Sequence, residues 1–134
     1  MDYIRKVFLD PSALIVWILY PDKNEPGGEV LSKYLLEPSH LAYTTEQCRT
    51  EAISRLRQMN REGQITQAGC EMRIEDLKEK RKLHIEPDVD YMSHDPVEGR
   101  LLITFDKECR SVAKNSGRPV WFPSEDSEPT PALS

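Results

Sequence analysis

The chain is poor in the features that would give it a quick assignment. Its 134 residues hold only three cysteines, Cys48, Cys70 and Cys109, scattered and odd in number. No CxxC or Cys/His spacing appears, which argues against a zinc site, and reduced packing cysteines are expected. No apolar run approaches the ~20 residues that a membrane span requires. The longest, Ala13 to Tyr20, is far shorter. Asp2, Arg5, Lys6 and Asp10 interrupt the start, so no signal peptide is legible there. Basic excess is also lacking: the formal net charge is −5. Composition alone therefore speaks mildly against a nucleic-acid binder, although a metal held by acidic residues would restore local attraction for phosphate. No internal repeat is present.

What remains is an ordinary globular composition, 38% hydrophobic and 31% charged. The length suits one domain with a core of its own. Ile4–Leu9 is rich in β-formers and runs into Asp10-Pro11-Ser12, a strand-to-helix junction with proline in the first turn. A helix is expected over Pro11–Tyr20, apolar nearly all round and so buried. A second spans Gly28–Leu36, with Val30, Leu31, Tyr34 and Leu35 on one face. Leu41–Thr44 reads as a strand. Thr44 and Thr45 then cap a helix running to about Asn60, with Ala52, Ile53 and Leu56 inward. Thr66 to about Lys82 is a charged helix with Met72, Ile74 and Leu77 as its apolar remnant. His84–Pro96 is irregular. Leu101–Thr104 is an apolar strand, Lys107–Ser116 a helix stopped by Gly117, and Pro119–Phe122 the last strand.

Helices alternating with strands predict an α/β fold, a three-layer α/β/α arrangement around a parallel sheet of about four strands. The domain is expected to span residues 1–123. Ser124–Ser134 carries Glu125, Asp126 and Glu128 with no basic residue, and reads as a disordered tail.

Ligands of parallel sheets gather at the carboxyl ends of the strands. Asp10 follows the first strand and Asp106 the third. Two carboxylates at adjacent strand ends repel unless a cation bridges them, and oxygen donors suit Mg²⁺ and Mn²⁺. Both also precede helices, where aspartate is a preferred N-cap. The residue types alone leave both readings open.

The order of motifs resembles a PIN domain. Val7-Phe8-Leu9-Asp10-Pro11-Ser12-Ala13-Leu14 is similar to the family's opening, with its first metal-binding Asp and a hydroxyl residue two positions on. Leu41-Ala42-Tyr43-Thr44-Thr45, leading to Glu51, is similar to the second motif. Leu102-Ile103-Thr104-Phe105-Asp106 is similar to the late motif, with Glu108 two residues beyond. Gly117, Pro119 and Val120 match the run into the last strand. The likeness covers about residues 4–123.

It implies a Mg²⁺- or Mn²⁺-dependent ribonuclease, often the toxin of a toxin–antitoxin module and often a homodimer, acting on RNA in the cytoplasm. Asp10, Glu51 and Asp106 would be the acidic catalytic and metal-holding set. Ser12 and Thr104 would support it. The chain departs from the family after the charged helix. Two helices and a further acid are usual there, yet only His84–Arg100 fills the space, broken by Pro87, Pro96 and Gly99. Asp88, Asp95 and, less well placed, Asp90 are the candidates for that acid. Arg49, Arg55 and Arg57, with the run Lys78–Lys82, would line an RNA path or form a solvated face. A PIN-like binding or regulatory module with an incomplete acidic site is the alternative. A phosphatase or receiver domain fits less well, since no strand-end lysine and no second early Asp pair is present. Trp17 is expected in the core, Trp121 and Phe122 in the core or an interface. His40, His84 and His94 are expected at the surface, and Ser12 lacks the partners of a nucleophile.

Overall fold

Val7, Phe8 and Leu9 are almost wholly buried because their strand has a neighbour on each side. A computed structural model describes residues 5–23, 25–80, 83–86 and 100–129. Strand β1 (Arg5–Leu9) pairs in parallel with β2 (His40–Thr45) and with β4 (Leu101–Ile103). The edges are β3 (His84–Glu86), beside β2, and β5 (Val120–Trp121), beside β4. The sheet is all parallel, in the order β3-β2-β1-β4-β5. The fold is the expected α/β one, with five strands. The additional strand, β3, lies in the segment expected to be irregular. Its three residues are too few to carry a period. The rest of the expected loop, with Asp88, Asp90, His94 and Asp95, lies outside the described residues.

Five α-helices connect the strands: α1 (Pro11–Leu19), α2 (Gly28–Leu36), α3 (Glu46–Arg61), α4 (Gln67–Glu75) and α5 (Lys107–Asn115). Right-handed crossovers put the β1-to-β2 and β2-to-β3 connections on one face and β4-to-β5 on the other. Accordingly α1 packs on α3, α3 on α4, and α5 against β5.

Helix α1 buries Pro11, Ala13, Leu14, Val16, Trp17, Ile18 and Leu19. Each large apolar side chain in such a position contributes about 1.5–3 kcal/mol by leaving water. Thr45 caps α3 through the amide of Cys48, and Thr66 caps α4 through the amide of Gly69. These short oxygens satisfy amides that the first turn would otherwise leave unpaired.

Helix α4 widens into a π-helical turn over Asp76–Lys80, and Leu77 within it is buried. Met72 is half-exposed and Val30 also faces water, both against the expected pattern. Cys70 takes the inward place in α4. Trp121 and Phe122 are core residues, as is Trp17. All three cysteines are free and buried, the packing role expected of them. His84 is exposed. His40 is not a free surface residue: it stacks on Tyr34 with ring centroids 3.8 Å apart.

The acidic tail is ordered where it leaves the sheet. The amides of Glu125 and Asp126 donate to the Phe122 carbonyl at 3.0 and 2.8 Å. Asp126 Oδ2 accepts the Phe122 amide at 3.0 Å, and Glu125 pairs with Arg110 at 2.8 Å. Two carboxylates expected to be solvated thus find partners, Glu125 on α5 and Asp126 at the residue after β5.

Candidate functional site

The centre of the site is set by register. Leu9 aligns with Ile103, so Asp10 and Thr104 leave neighbouring strands at the same level, at the carboxyl edge of the sheet. Asp10 is 2% exposed. It caps α1, its Oδ1 accepting the Ala13 amide at 2.8 Å and the Ser12 hydroxyl at 2.7 Å. Its Oδ2 accepts the hydroxyl of Thr104.

The direction of these bonds follows from the amides. An N–H only donates, so Ser12 Oγ accepts from Phe105 N at 2.8 Å and Thr104 Oγ1 from Asp106 N at 3.0 Å. Each hydroxyl has one proton, and each gives it to a different oxygen of Asp10. The two hydroxyls, 3.3 Å apart, then have no proton left for each other. The turn between β4 and α5 is thus tied to the turn between β1 and α1 through one buried carboxylate.

Burial pushes the Asp10 carboxyl above its usual range. Donors on Ser12, Thr104, Ala13 and Cys109 pull the other way without overcoming it. Two thiols sit in the first turns of α3 and α5 near this acid. Burial is the main cause that raises Cys48, and burial together with the Asp10 charge pushes Cys109 up to about 12. Burial thus favours the neutral thiol over the more nucleophilic thiolate in both. Neither thiol belongs to the expected site. The signal was available: Cys48 and Cys109 each stand three residues after a capping residue, Thr45 and Asp106, where a side chain turns back toward the strand ends.

Asp106 is exposed and caps α5, its Oδ1 accepting the amides of Glu108 at 2.9 Å and Cys109 at 3.4 Å. Its Oδ2 accepts no hydrogen bond among the described residues. Both aspartates therefore do act as caps. Glu108 is exposed and contributes its amide to Asp106.

Glu51 stands apart. It is exposed on α3 and paired with Arg55 at 3.1 Å, one helical turn on. The surface depression that it lines with Glu46, Gln47, Thr50 and Ser54 includes none of Asp10, Ser12, Thr104 or Asp106. Among the described residues no three His, Cys, Asp or Glu side chains converge closely enough to hold a metal ion. Two of the arginines expected on an RNA path are partly neutralised: Arg49 pairs with Glu46 at 2.6 Å and Arg55 with Glu51 at 3.1 Å.

A part-buried ion pair lies elsewhere on the sheet. Arg100, 4% exposed, makes a two-pronged pair with Glu86 of β3, one arm at 2.8 Å. Its guanidinium lies 4.5 Å from the Tyr43 ring centroid. The pair bridges an edge strand to the start of β4, past β2 and β1, a long-range contact that local patterning does not encode.

No protein-family model matches the chain, and no curated protein is recognisably similar to it. Among the described residues no helix is long and apolar enough to cross a membrane.

Proposed function

We propose that the chain is a PIN-like ribonuclease dependent on Mg²⁺ or Mn²⁺, with Asp10 and Asp106 as its core acids. The observation that carries this reading is the tie between them: Thr104 Oγ1 touches Asp10 Oδ2 and the Asp106 amide at once, at the carboxyl ends of neighbouring strands. The donor set fits the ion. Mg²⁺ is commonly held by one or two carboxylates while keeping several waters, and Asp10 is a buried acid with hydroxyl and amide donors and, among the described residues, no cation paired with it. Asp10 and Asp106 would hold the ion, which when bound offsets phosphate charge and makes bound water more acidic. Ser12 and Thr104 orient Asp10 and keep its two oxygens in place. A further acid would come from Asp88 or Asp95. An RNA substrate, a cognate antitoxin, a homodimer and a cytoplasmic setting belong to the same reading.

The pairing of Glu51 with Arg55 favours a second reading, a PIN-like binding module whose acidic site is incomplete. One experiment separates the two. Wild type and Asp10→Asn are melted with EDTA and with excess Mn²⁺, then incubated with a fluorescent single-stranded RNA. The ribonuclease reading expects slow Mn²⁺-dependent cleavage by the wild type alone. It also expects an added ~2.7 kcal/mol of stability at an ion concentration about 100 times Kd, absent in Asp10→Asn. Neither cleavage nor an Mn²⁺ shift would leave the binding module.

A further inference from the structure

Helix α5 begins at the residue after Asp106, and its basic residues fall on one side. Lys107, Arg110 and Lys114 follow the three-then-four spacing that places side chains on a common face. This stripe differs from the basic face of α3. There Arg49 and Arg55 pair with carboxylates of their own helix. On α5 the counter-charge comes from outside the helix, from Glu125.

Glu125 accepts from Arg110 Nη1 at 2.8 Å and lies 4.0 Å from Lys107 Nζ. The Arg110 bond, then the charges of Arg110, Lys107 and Lys114, hold its carboxyl below the usual range. Its position is built. The chain turns back at Phe122, whose carbonyl accepts the amides of Glu125 and Asp126 and whose amide donates to Asp126 Oδ2. Arg110 is in turn seated over the Phe122 ring, 4.1 Å from its centroid, with 20% of its side chain exposed. A single carboxylate thus stands against Arg110 and within reach of Lys107, with the charge of Lys114 on the same side of the helix.

We propose that the Lys107–Arg110–Lys114 face of α5 is a binding surface for the phosphodiester backbone of RNA, and that Glu125 occupies it in place of a phosphate until RNA displaces it. This rests on the reading of the chain as an RNA-acting protein. It adds where the backbone runs, along α5 away from Asp106, and it makes the acidic turn after β5 an internal competitor. Lys107 and Lys114 are exposed, so an incoming backbone meets them first and Arg110 becomes available as Glu125 swings out.

The test is anisotropy of a short fluorescein-labelled oligouridylate with EDTA present, so that binding is read without cleavage. Glu125→Gln should bind about fivefold tighter than wild type at low salt. Its log–log salt slope should be steeper by about 0.7, one added single-strand phosphate contact. Glu125→Lys should bind tighter still. Glu128→Gln makes the same charge change at an exposed side chain that forms no ion pair among the described residues, and should stay within about a factor of two of wild type. Adding Lys107→Gln and Lys114→Gln to Glu125→Gln should abolish the gain. Equal binding by wild type and Glu125→Gln, no binding by either, an equal gain from Glu128→Gln, or a gain that survives the lysine substitutions would each overturn the proposal. Cleavage with Mn²⁺ is scored separately. Cleavage without a Glu125 effect leaves the ribonuclease reading and removes this one; a Glu125 effect without cleavage does the reverse.

Discussion

Thr104 Oγ1 gives its only proton to Asp10 Oδ2 and takes the amide proton of Asp106 at 3.0 Å. One buried hydroxyl therefore couples the two strand-end turns, and neither turn can shift without breaking a bond to a group that water does not reach.

Replacing that hydroxyl is costly for a definite reason. Thr104→Val keeps the shape but leaves a buried carboxylate oxygen and an amide unpaired, each worth about 1–3 kcal/mol when orphaned. Thr104→Val should lose about 2–4 kcal/mol in urea melts. Thr104→Ser keeps the hydroxyl and gives up a methyl, so it should lose about 1 kcal/mol. Equal losses in the two variants would mean that the methyl, and not the tie, holds the turn.

Two acids, the buried Asp10 and the partly exposed Glu86, should respond to pH with opposite signs. Burial raises Asp10 above its usual 3.8. The folded protein then holds that proton longer than the unfolded chain. Its contribution is full below the unfolded value and is lost as pH rises through the folded one. The Arg100 hydrogen bond lowers Glu86 below its usual 4.5. Its contribution is present above the unfolded value and is lost as pH falls through the folded one. In metal-free urea melts, Asp10→Asn should gain on wild type as pH rises from about 4 toward neutrality. Glu86→Gln should lose most relative to wild type at neutral pH and converge with it in acid. Parallel curves for either variant would show that its acid carries no such linkage.

Much of this arrangement is legible in the residues because it is local. Asp10, Thr45, Thr66 and Asp106 are capping types standing immediately before helical patterns, and all four do cap. The placement of Asp10 and Asp106 needed only that two strands be neighbours. Three features were out of reach. Strand β3 is three residues long, below any usable period, and owes its existence to pairing with β2. Glu51 matches a motif by position, but whether it turns toward Asp10 or toward Arg55 depends on competition between a distant acidic cluster and a partner one turn away. Glu125 reads as a solvated tail residue until the chain reversal at Phe122 sets it against Arg110. In each case the deciding partner is supplied by tertiary structure.

That chain reversal depends on a glycine far from it in sequence. Gly27, at the N-cap of α2, has φ +90, and a Cβ there would lie 2.5 Å from the Pro123 carbonyl carbon and 2.7 Å from the Ser124 nitrogen. Gly63, at φ +77, has nothing within 4 Å of the same position. Gly63→Ala should therefore cost only the left-handed conformation, about 1 kcal/mol. Gly27→Ala adds a backbone clash, relieved only by moving the 123–124 segment or α2, and should cost about 2–4 kcal/mol in all. Urea melts of the two variants measure the difference. Because Pro123 leads directly to Glu125, the same push should loosen the carboxylate from Arg110, so Gly27→Ala should also bind the oligouridylate more tightly than Gly63→Ala does. Matching losses of stability in the two variants would show that Pro123 does not pack on Gly27, and with it the anchored position of Glu125 would fall.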